Sequence, residues 1–498
     1  MTRRGARTAR AAGDRREPGG DAGRLLGTGR ASPRAGRAGE IGDLVTIAVL
    51  EALTFGLSRM VAAAERAGQR LCLLTGGRGV YRHELGRLAP DALDVVDVDT
   101  HDVAECAAVL GRLPDLRGLV NSTDTWMRPG AELAARFGLP GPDPAVVRTL
   151  RDKRAVRVLL HERGLSRGTA VALPPGPDHT ASAALVRDVV GLPAVLKDSA
   201  GTGSRNVWLV RDGEQLDAAL REAAGRALLG RLFAEPYLTG PLYSAETLSW
   251  AGRTRLLGVT GRLLSARWFG REDLLSFPVL LPAPDLAAVD DWVARVLAAA
   301  GHTRGFAHVE FVLTSDGPEL VEINARIGGC LAGEAMCRSL GVDVYDAMID
   351  MALGRAPALL DTATGTTSGT AGTTGTTGTT GTTGTTGTVE TVETVETTGT
   401  VETTSDTAAT RPTATATVLI YPGRPGTFTG VTGIEDLPSH PGAPEWYPTM
   451  AAGTEVGDLG DQRACAGLLL AEGATTELAM YNALSAARGV HPLMDDEW

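Results

Sequence analysis

Between Gly305 and Gly329 the chain reads GFAHVEFVLTSDGPELVEINARIGG, a run that restricts the fold more than any other. Phe306 to Leu313 alternates and is β-rich, Ser315-Asp316-Gly317 is a turn signal, and Glu319 to Asn324 reads as the return strand. In so short a hairpin Glu310 and Glu322 sit on adjacent strands and point to one side. Asn324 keeps that side, because side-chain direction repeats every second residue. Arg326 keeps it too if the strand continues. An isolated Glu on a strand is ordinarily a solvated edge residue. Two carboxylates and an amide beside a guanidinium, embedded in Val, Phe, Leu and Ile, make a poor core. They make a good cradle for Mg2+ and a transferring phosphoryl group, since Mg2+ wants hard oxygen ligands and shares them with phosphates.

A chain of 498 residues has room for three or more domains with their own cores. No apolar run approaches the roughly 18 residues that span a bilayer, so no membrane partner is expected. The net charge of −11 argues against nucleic acid. Cys72, Cys106, Cys330, Cys337 and Cys465 are scattered without a CxxC pair. That points to a reducing, cytoplasmic setting with cysteines serving as small buried hydrophobes. Residues 1–43 are rich in Arg, Gly and Ala and lack the apolar block of a secretory signal, so they read as a disordered tail. Residues 358–412 collapse into Thr-Thr-Gly and then Val-Glu-Thr repeats. With almost no apolar mass to offset ordering entropy, they read as a disordered insert within one folded unit.

The remaining segments read as mixed α/β. From 44 to 142 a β-α-β-α-β rhythm predicts a parallel sheet whose ligand crevice lies at the strand ends, near Gly56, Thr75-Gly76-Gly77 and Asn121-Ser122-Thr123-Asp124. The last cluster fits a helix cap as well as a substrate contact. Asp143 to Arg163 reads as one helix with Arg151-Asp152-Lys153 in its middle. Short strands at Ala194–Lys197 and Val207–Val210 flank a loop containing Gly201, Gly203 and Ser204. Because a strand follows this loop, it is not a dinucleotide fingerprint but a flap whose N–H groups can close over phosphates. After the repeats, Ala416 to Tyr421 and Ala464 to Leu470 read as strands, Pro422 to Gly433 as turn-rich, and Thr475 to Ala487 as a helix.

Together, Lys197, the flap and the acidic hairpin resemble the ATP-grasp superfamily of carboxylate–amine ligases. The resemblance covers about Leu44–Pro357 and resumes at about Ala414–Gly489. LIYPGRPGTFTGVTGIE, in the second part, is similar to the C-terminal domain of L-amino-acid ligases. The resemblance implies an N-terminal parallel-sheet domain (44–142), a small grasping lobe (143–232), a large lobe with the metal site (233–357) and a small α/β cap (413–498). It implies ATP and Mg2+, with Mn2+ as an alternative metal. Glu310, Glu322 and Asn324 would hold the metal, Lys153 and Lys197 the phosphates, and Arg326 the transferring phosphoryl. Gly201, Gly203 and Ser204 would form the flap. Glu235, Tyr237 and Leu238 would be the adenine hinge, and Glu246, in YSAE, would lie beside the nucleotide, although Leu242 stands where the family's motif has a first Glu.

The implied activity joins a small-molecule carboxylate, an amino acid by preference, to an amine through an acyl phosphate. A different nucleophile, or a nucleotide-binding regulatory protein, are the alternatives, and a homodimer is one open assembly. Ser276 stands where an acid for the substrate amino group is expected. Either Glu272 or Asp273 replaces it, or the acyl substrate has no α-amino group. Cys330 sits where a side chain would limit the acyl pocket, and plain packing explains it equally well.

Overall fold

The structure, a computed structural model, describes residues 46–176, 179–362 and 413–495. The expected tail over 1–43 and residues 363–412 of the expected insert lie outside these residues; the start of that insert is ordered, Ala358–Leu360 forming a 3-10 turn that buries Leu359 and Leu360.

Apolar runs short enough to be strands, separated by amphipathic helices, build the first sheet. Strands β1 (Thr46–Leu50), β2 (Arg70–Thr75), β3 (Asp94–Asp97) and β4 (Leu116–Val120) are parallel in the order β3-β2-β1-β4. All of β1 is buried, as a central strand covered on both faces must be. At its carboxyl end the buried Glu51 accepts from Thr75 Oγ1 at 2.9 Å, Gly76 N at 2.7 Å, Tyr81 OH at 2.7 Å and Thr100 Oγ1 at 2.8 Å. Four donors satisfy this carboxylate, which ties the strand ends into a rigid crevice wall.

The second sheet is small and antiparallel. Strands β5 (Val171–Ala172), β6 (Ala194–Asp198), β7 (Val207–Val210) and β8 (Leu232–Pro236) run in the order β5-β8-β6-β7. Helix Gly213–Ala224 lays Leu216, Ala219 and Leu220 onto Leu196 and Ala234. Sequence reading placed Phe233–Pro236 in the larger lobe, but β8 pairs with β6 and belongs to this sheet.

The third sheet is antiparallel throughout. It comprises β9 (Leu242–Trp250), β10 (Arg253–Leu264), β11 (Glu272–Phe277), β12 (Gly305–Thr314) and β13 (Gly317–Asn324), then β14 (Ala414–Ile420). Further on come β15 (Gly426–Thr432), β16 (Glu445–Pro448), β17 (Thr454–Val456), β18 (Gly467–Gly473) and β19 (His491–Asp495). The order is β13-β12-β9-β10-β11-β14-β18-β16, eight strands in all, while β17-β15-β19 form a separate sheet. Leu274↔Val418 and Ser276↔Ala416 register β11 on β14, so the segment after the repeats is stitched into the sheet that carries the acidic hairpin.

Two local expectations are corrected. The single helix over 143–163 is two helices, Pro144–Leu150 and Lys153–Glu162. Asp152 is extended, and its carboxylate caps the second helix by accepting Ala155 N at 3.0 Å. Lys153 therefore opens a helix rather than sitting in its middle. The turn-rich stretch Pro422–Gly433 contains β15, whose Gly and Thr residues mask the alternation.

Candidate active site

The hairpin of β12 and β13 places Glu310 directly opposite Glu322, with an irregularity just after Glu310. Gly317 turns the chain at φ 110°, a conformation that L side chains rarely adopt. Asn324 ends β13, and its Nδ2 donates to Glu322 Oε1 at 2.7 Å, leaving Oδ1 for a cation. The strand does not continue to Arg326. Arg326 instead reaches the first domain, where its Nε donates to Asp124 Oδ2 at 2.9 Å, Nη2 donates to the same oxygen, and Nη1 donates to Ile327 O at 2.8 Å. Asp124 thus acts neither as a helix cap nor as an exposed substrate contact; it holds Arg326.

A cavity of about 320 Å³ lies over this hairpin. Its walls include Glu310, Glu322, Asn324 and Arg326 from the hairpin side, and Lys153, Lys197 and the flap residues Gly201, Gly203 and Ser204 from the other. Glu235, Tyr237 and Leu238 line it at the crossing between the two antiparallel sheets. Of the residues assigned from sequence to the nucleotide and the metal, Glu246 alone is absent from the wall. It is buried beneath His308, whose Nδ1 lies 2.9 Å from its Oε1, and it accepts from Thr260 Oγ1 at 2.8 Å. Glu246 is on the site's face of β9, but the His308 ring stands between it and Glu310, 3.5 Å from the latter.

Each cation is positioned by its local fold. The backbone N–H of Lys153 donates to Ser199 O at 3.0 Å, fixing the helix start against the flap. Lys153 Nζ lies 3.0 Å from Glu322 Oε2 and 2.5 Å from Gly201 O. Lys197, on the buried strand β6, meets Glu235 at 2.5 Å. The flap is anchored by Asp198, whose carboxylate accepts Leu229 N at 2.6 Å and Gly230 N at 2.8 Å.

Sequence reasoning missed several residues because their partners are far along the chain. Arg157 is fully buried and donates to Glu235 at 3.1 Å, to Ser166 Oγ at 3.1 Å and to Leu320 O. Arg262 bridges Glu272 and Glu310, the latter at 2.5 Å. Gln462, from the C-terminal segment, donates to Glu272 Oε2 at 2.7 Å. Only the two-residue spacing of His308 from Glu310 carried a signal.

The charges reinforce one another. Burial opposes ionisation of Glu310, yet Arg262 and His308 hold its carboxyl well below the usual range. Burial likewise opposes charge on His308, but Glu246 raises it to about 9. Glu235 is kept low against its burial by Arg157 and Lys197, and Asp124 by Arg326 and Arg151.

Among the described residues no group of three or more His, Cys, Asp and Glu is arranged around a point. The donor set is instead two carboxylates and an amide oxygen. In the structure Arg262 and Lys153 neutralise the two carboxylates, the charge a divalent cation would otherwise meet. Such a partial oxygen set fits Mg2+, which keeps waters and takes further oxygens from phosphates.

Comparison with known proteins agrees with this geometry. Residues 165–330 match the ATP-grasp domain family, and residues 418–494 match L-amino acid ligase C-terminal domain 2. Residues 165–330 are thus an ATP-grasp domain. The chain's relatives by sequence include human carnosine synthase 1, 29% identical over 256 residues, which are 46% of this chain and 30% of that one. D-alanine–D-alanine ligase of Mycolicibacterium smegmatis is 32% identical over 228 residues, 42% of this chain and 60% of that one. Protein y4rH of Sinorhizobium fredii is 28% identical over 277 residues, covering 54% and 56%. The matches thus span three-fifths or less of these relatives' lengths. Among solved structures, the L-amino acid ligase of Bacillus licheniformis superimposes with a TM-score of 0.67 at 18% identity, over 91% of this chain and 99% of that one. At this identity the likeness is one of ATP-grasp fold. No helix among the described residues is long and apolar enough to cross a membrane.

Proposed function

We propose that this ATP-grasp protein is an ATP-dependent ligase that joins a carboxylate to an amine. The observation that carries the reading is the opposition, across one cavity, of Glu310, Glu322 and Asn324 to Lys153, Lys197 and Arg326. A carboxylate is a poor acyl donor because its leaving group would be oxide. With ATP as co-substrate, a carboxylate oxygen attacks the γ-phosphorus and the P–O bond to ADP breaks. The lone pair of a neutral amine then attacks the acyl carbon, the C–O bond to phosphate breaks, and the nitrogen loses a proton.

Each residue has a role in this scheme. Mg2+ on Glu310, Glu322 and Asn324 would supply neutralisation of phosphate charge. Lys153 and Lys197 hold the triphosphate, with Glu235 and Arg157 fixing the Lys197 ammonium rather than reading adenine. Arg326, steadied by Asp124, presents a planar donor to the transferring phosphoryl and to the acyl phosphate. Glu272, whose buried carboxylate lines the cavity and already pairs with Arg262, is our candidate for the acid sought at Ser276. Positioning and electrostatics supply most of the rate, with no protein nucleophile.

The test is phosphate release across a matrix of amino-acid pairs with ATP and Mg2+, followed by product mass. Amide products with stoichiometric phosphate are expected. ATP binding without phosphate release for any pair refutes the ligase reading.

A further inference from the structure

A separate cavity, of about 120 Å³, lies between the first domain and the end of the acidic hairpin. Residues 119–122 at the end of β4 line it, with the helices Met127–Arg136 and Pro144–Leu150 on one side and residues 325–327, Met348 and Met351 on another. Gly141 and Pro142 are exposed members of its wall, which gives it a mouth. Arg326 is the one residue it shares with the wall of the nucleotide cavity. We propose that this is a second ligand site, and that it takes a small neutral single-ring compound carrying one hydroxyl or N–H donor, of which phenol is the simplest. Binding here does not rest on the ligase reading.

The polar atoms of the wall call for a donor. His302 is buried, and its Nε2 lies 3.3 Å from Gly305 O. A carbonyl only accepts, so Nε2 carries the proton and Nδ1 of the neutral ring is an acceptor. Burial pushes His302 down to about 4, so the ring is neutral at neutral pH. No described residue donates to Nδ1. Asn121 offers a second acceptor: its Nδ2 donates to Leu50 O at 2.9 Å and to Thr123 Oγ1 at 3.1 Å, while its Oδ1 has no partner among the described residues. The Ser122 hydroxyl is already engaged, accepting Leu53 N at 3.1 Å. An acceptor left unpaired in the interior is costly, so an occupant that brings a donor is favoured. Arg326 is turned to Asp124 and Ile327 O, and Arg304 lies over the Trp250 ring at 4.2 Å. These guanidiniums disfavour a cation, and the lone acceptors disfavour an anion.

The rest of the wall decides the class. It is largely apolar, and Met127, Met348 and Met351 share it with Phe306. Thioethers make favourable contacts with aromatic rings and adapt to their outline. An engineered apolar cavity of about 150 Å³ holds benzene, so one of about 120 Å³ suits a single ring rather than a fused pair. Water alone fits poorly. A buried water needs two to four polar partners, and the unpaired atoms here are acceptors set in an apolar wall. Because Arg326 borders both cavities, an occupant stands against the arginine that Asp124 holds.

The experiment titrates the full chain with phenol and with toluene, which has the same outline and no donor, by ligand-observed NMR. Saturable phenol binding with a Kd of about 1 mM or tighter is expected. His302→Phe, which keeps the ring and removes the acceptor, should lower the phenol/toluene affinity ratio by about threefold to tenfold, the scale of one neutral hydrogen bond. Ala131→Leu should fill the cavity and weaken both probes by about tenfold or more. A thermal melt shows whether each variant is folded, and Ala134→Val is the milder filling variant if Ala131→Leu is not. ADP with Mg2+ at saturation should leave phenol bound. No saturable phenol binding up to about 20 mM overturns the proposal and leaves a cavity holding water only. Displacement of phenol by the nucleotide, or an unchanged phenol affinity in a folded filling variant, overturns the location. An unchanged phenol/toluene ratio in folded His302→Phe overturns the donor requirement. None of these outcomes bears on phosphate release, which tests the ligase reading separately.

Discussion

Replacing Asp124 by Asn asks whether Arg326 works because it is held. In the folded protein both side chains are mostly buried, at 10% and 13% exposure, and Arg326 gives two N–H groups to one Asp124 oxygen. Asn keeps an acceptor oxygen but loses the charge. Losing charge assistance from such a contact costs about 1.5–3 kcal/mol, or roughly a tenfold to hundredfold fall in the properly held population. Arg326→Ala removes the electrostatic donor itself, for which a loss of about a hundredfold to a thousandfold in kcat is the established scale. Because the two residues act as a unit, the double variant should be no slower than Arg326→Ala alone, within about twofold. The nucleotide should still be held by Lys153, Lys197 and the flap. Single-turnover phosphate release, set beside a nucleotide titration, reads both effects. Multiplying losses in the double variant would refute the pairing argument. A parallel loss of nucleotide affinity in Arg326→Ala would refute a role confined to transfer.

Other outcomes follow from the same geometry. Glu322→Gln should preserve the melting temperature within a few degrees but cut turnover about a hundredfold or more, since one metal ligand loses its charge; near-wild-type turnover at saturating Mg2+ would remove Glu322 from the metal site. Glu235→Gln should weaken nucleotide binding through Lys197 and leave selectivity between ATP and GTP unchanged; altered base selectivity would return Glu235 to the adenine hinge. The folded-state depression of the Glu235 carboxyl also sets a pH signature. Its contribution to stability is fully present above the ordinary carboxylate value of about 4.3 and is lost as pH falls through the lower folded value. The wild-type stability advantage over Glu235→Gln in denaturant titrations should therefore shrink in acid, and a gap that widened in acid would contradict the sign. Gly118→Val should destabilise the first domain, because even a Cβ there would stand 2.8 Å from Ala352 O; unchanged hydrogen-exchange protection in β4 would count against that contact.

Local pattern made the acidic hairpin and the lysine-ended strand before the flap legible, because alternation along a strand depends only on neighbouring residues. Glu310, Glu322 and Asn324 fall on one side for that reason alone. The helix break at Asp152 was written locally too, as a capping residue, but the apolar rhythm running through 143–163 hid it. The failures have a different origin. Glu246 obeys the alternation that puts it on the site's face, yet His308 from a strand distant in sequence covers it. Glu235 lines the cavity beside Tyr237 and Leu238, but its ion pairs with Arg157 and Lys197 could not be read from spacing.

The sequence by itself determined the acidic hairpin, the lysine-ended strand and the alternating architecture of the first domain, since these rest on period, spacing and turn chemistry. Only the tertiary structure decided which charges pair, because burial makes an ionic partner obligatory without naming it. Asp124 and Arg326 are separated by 202 positions, and Glu272 and Gln462 by 190. The tertiary structure also decided the union of β11 with β14, for a strand's edge carries unpaired N–H and C=O groups but no address for the chain segment that will satisfy them.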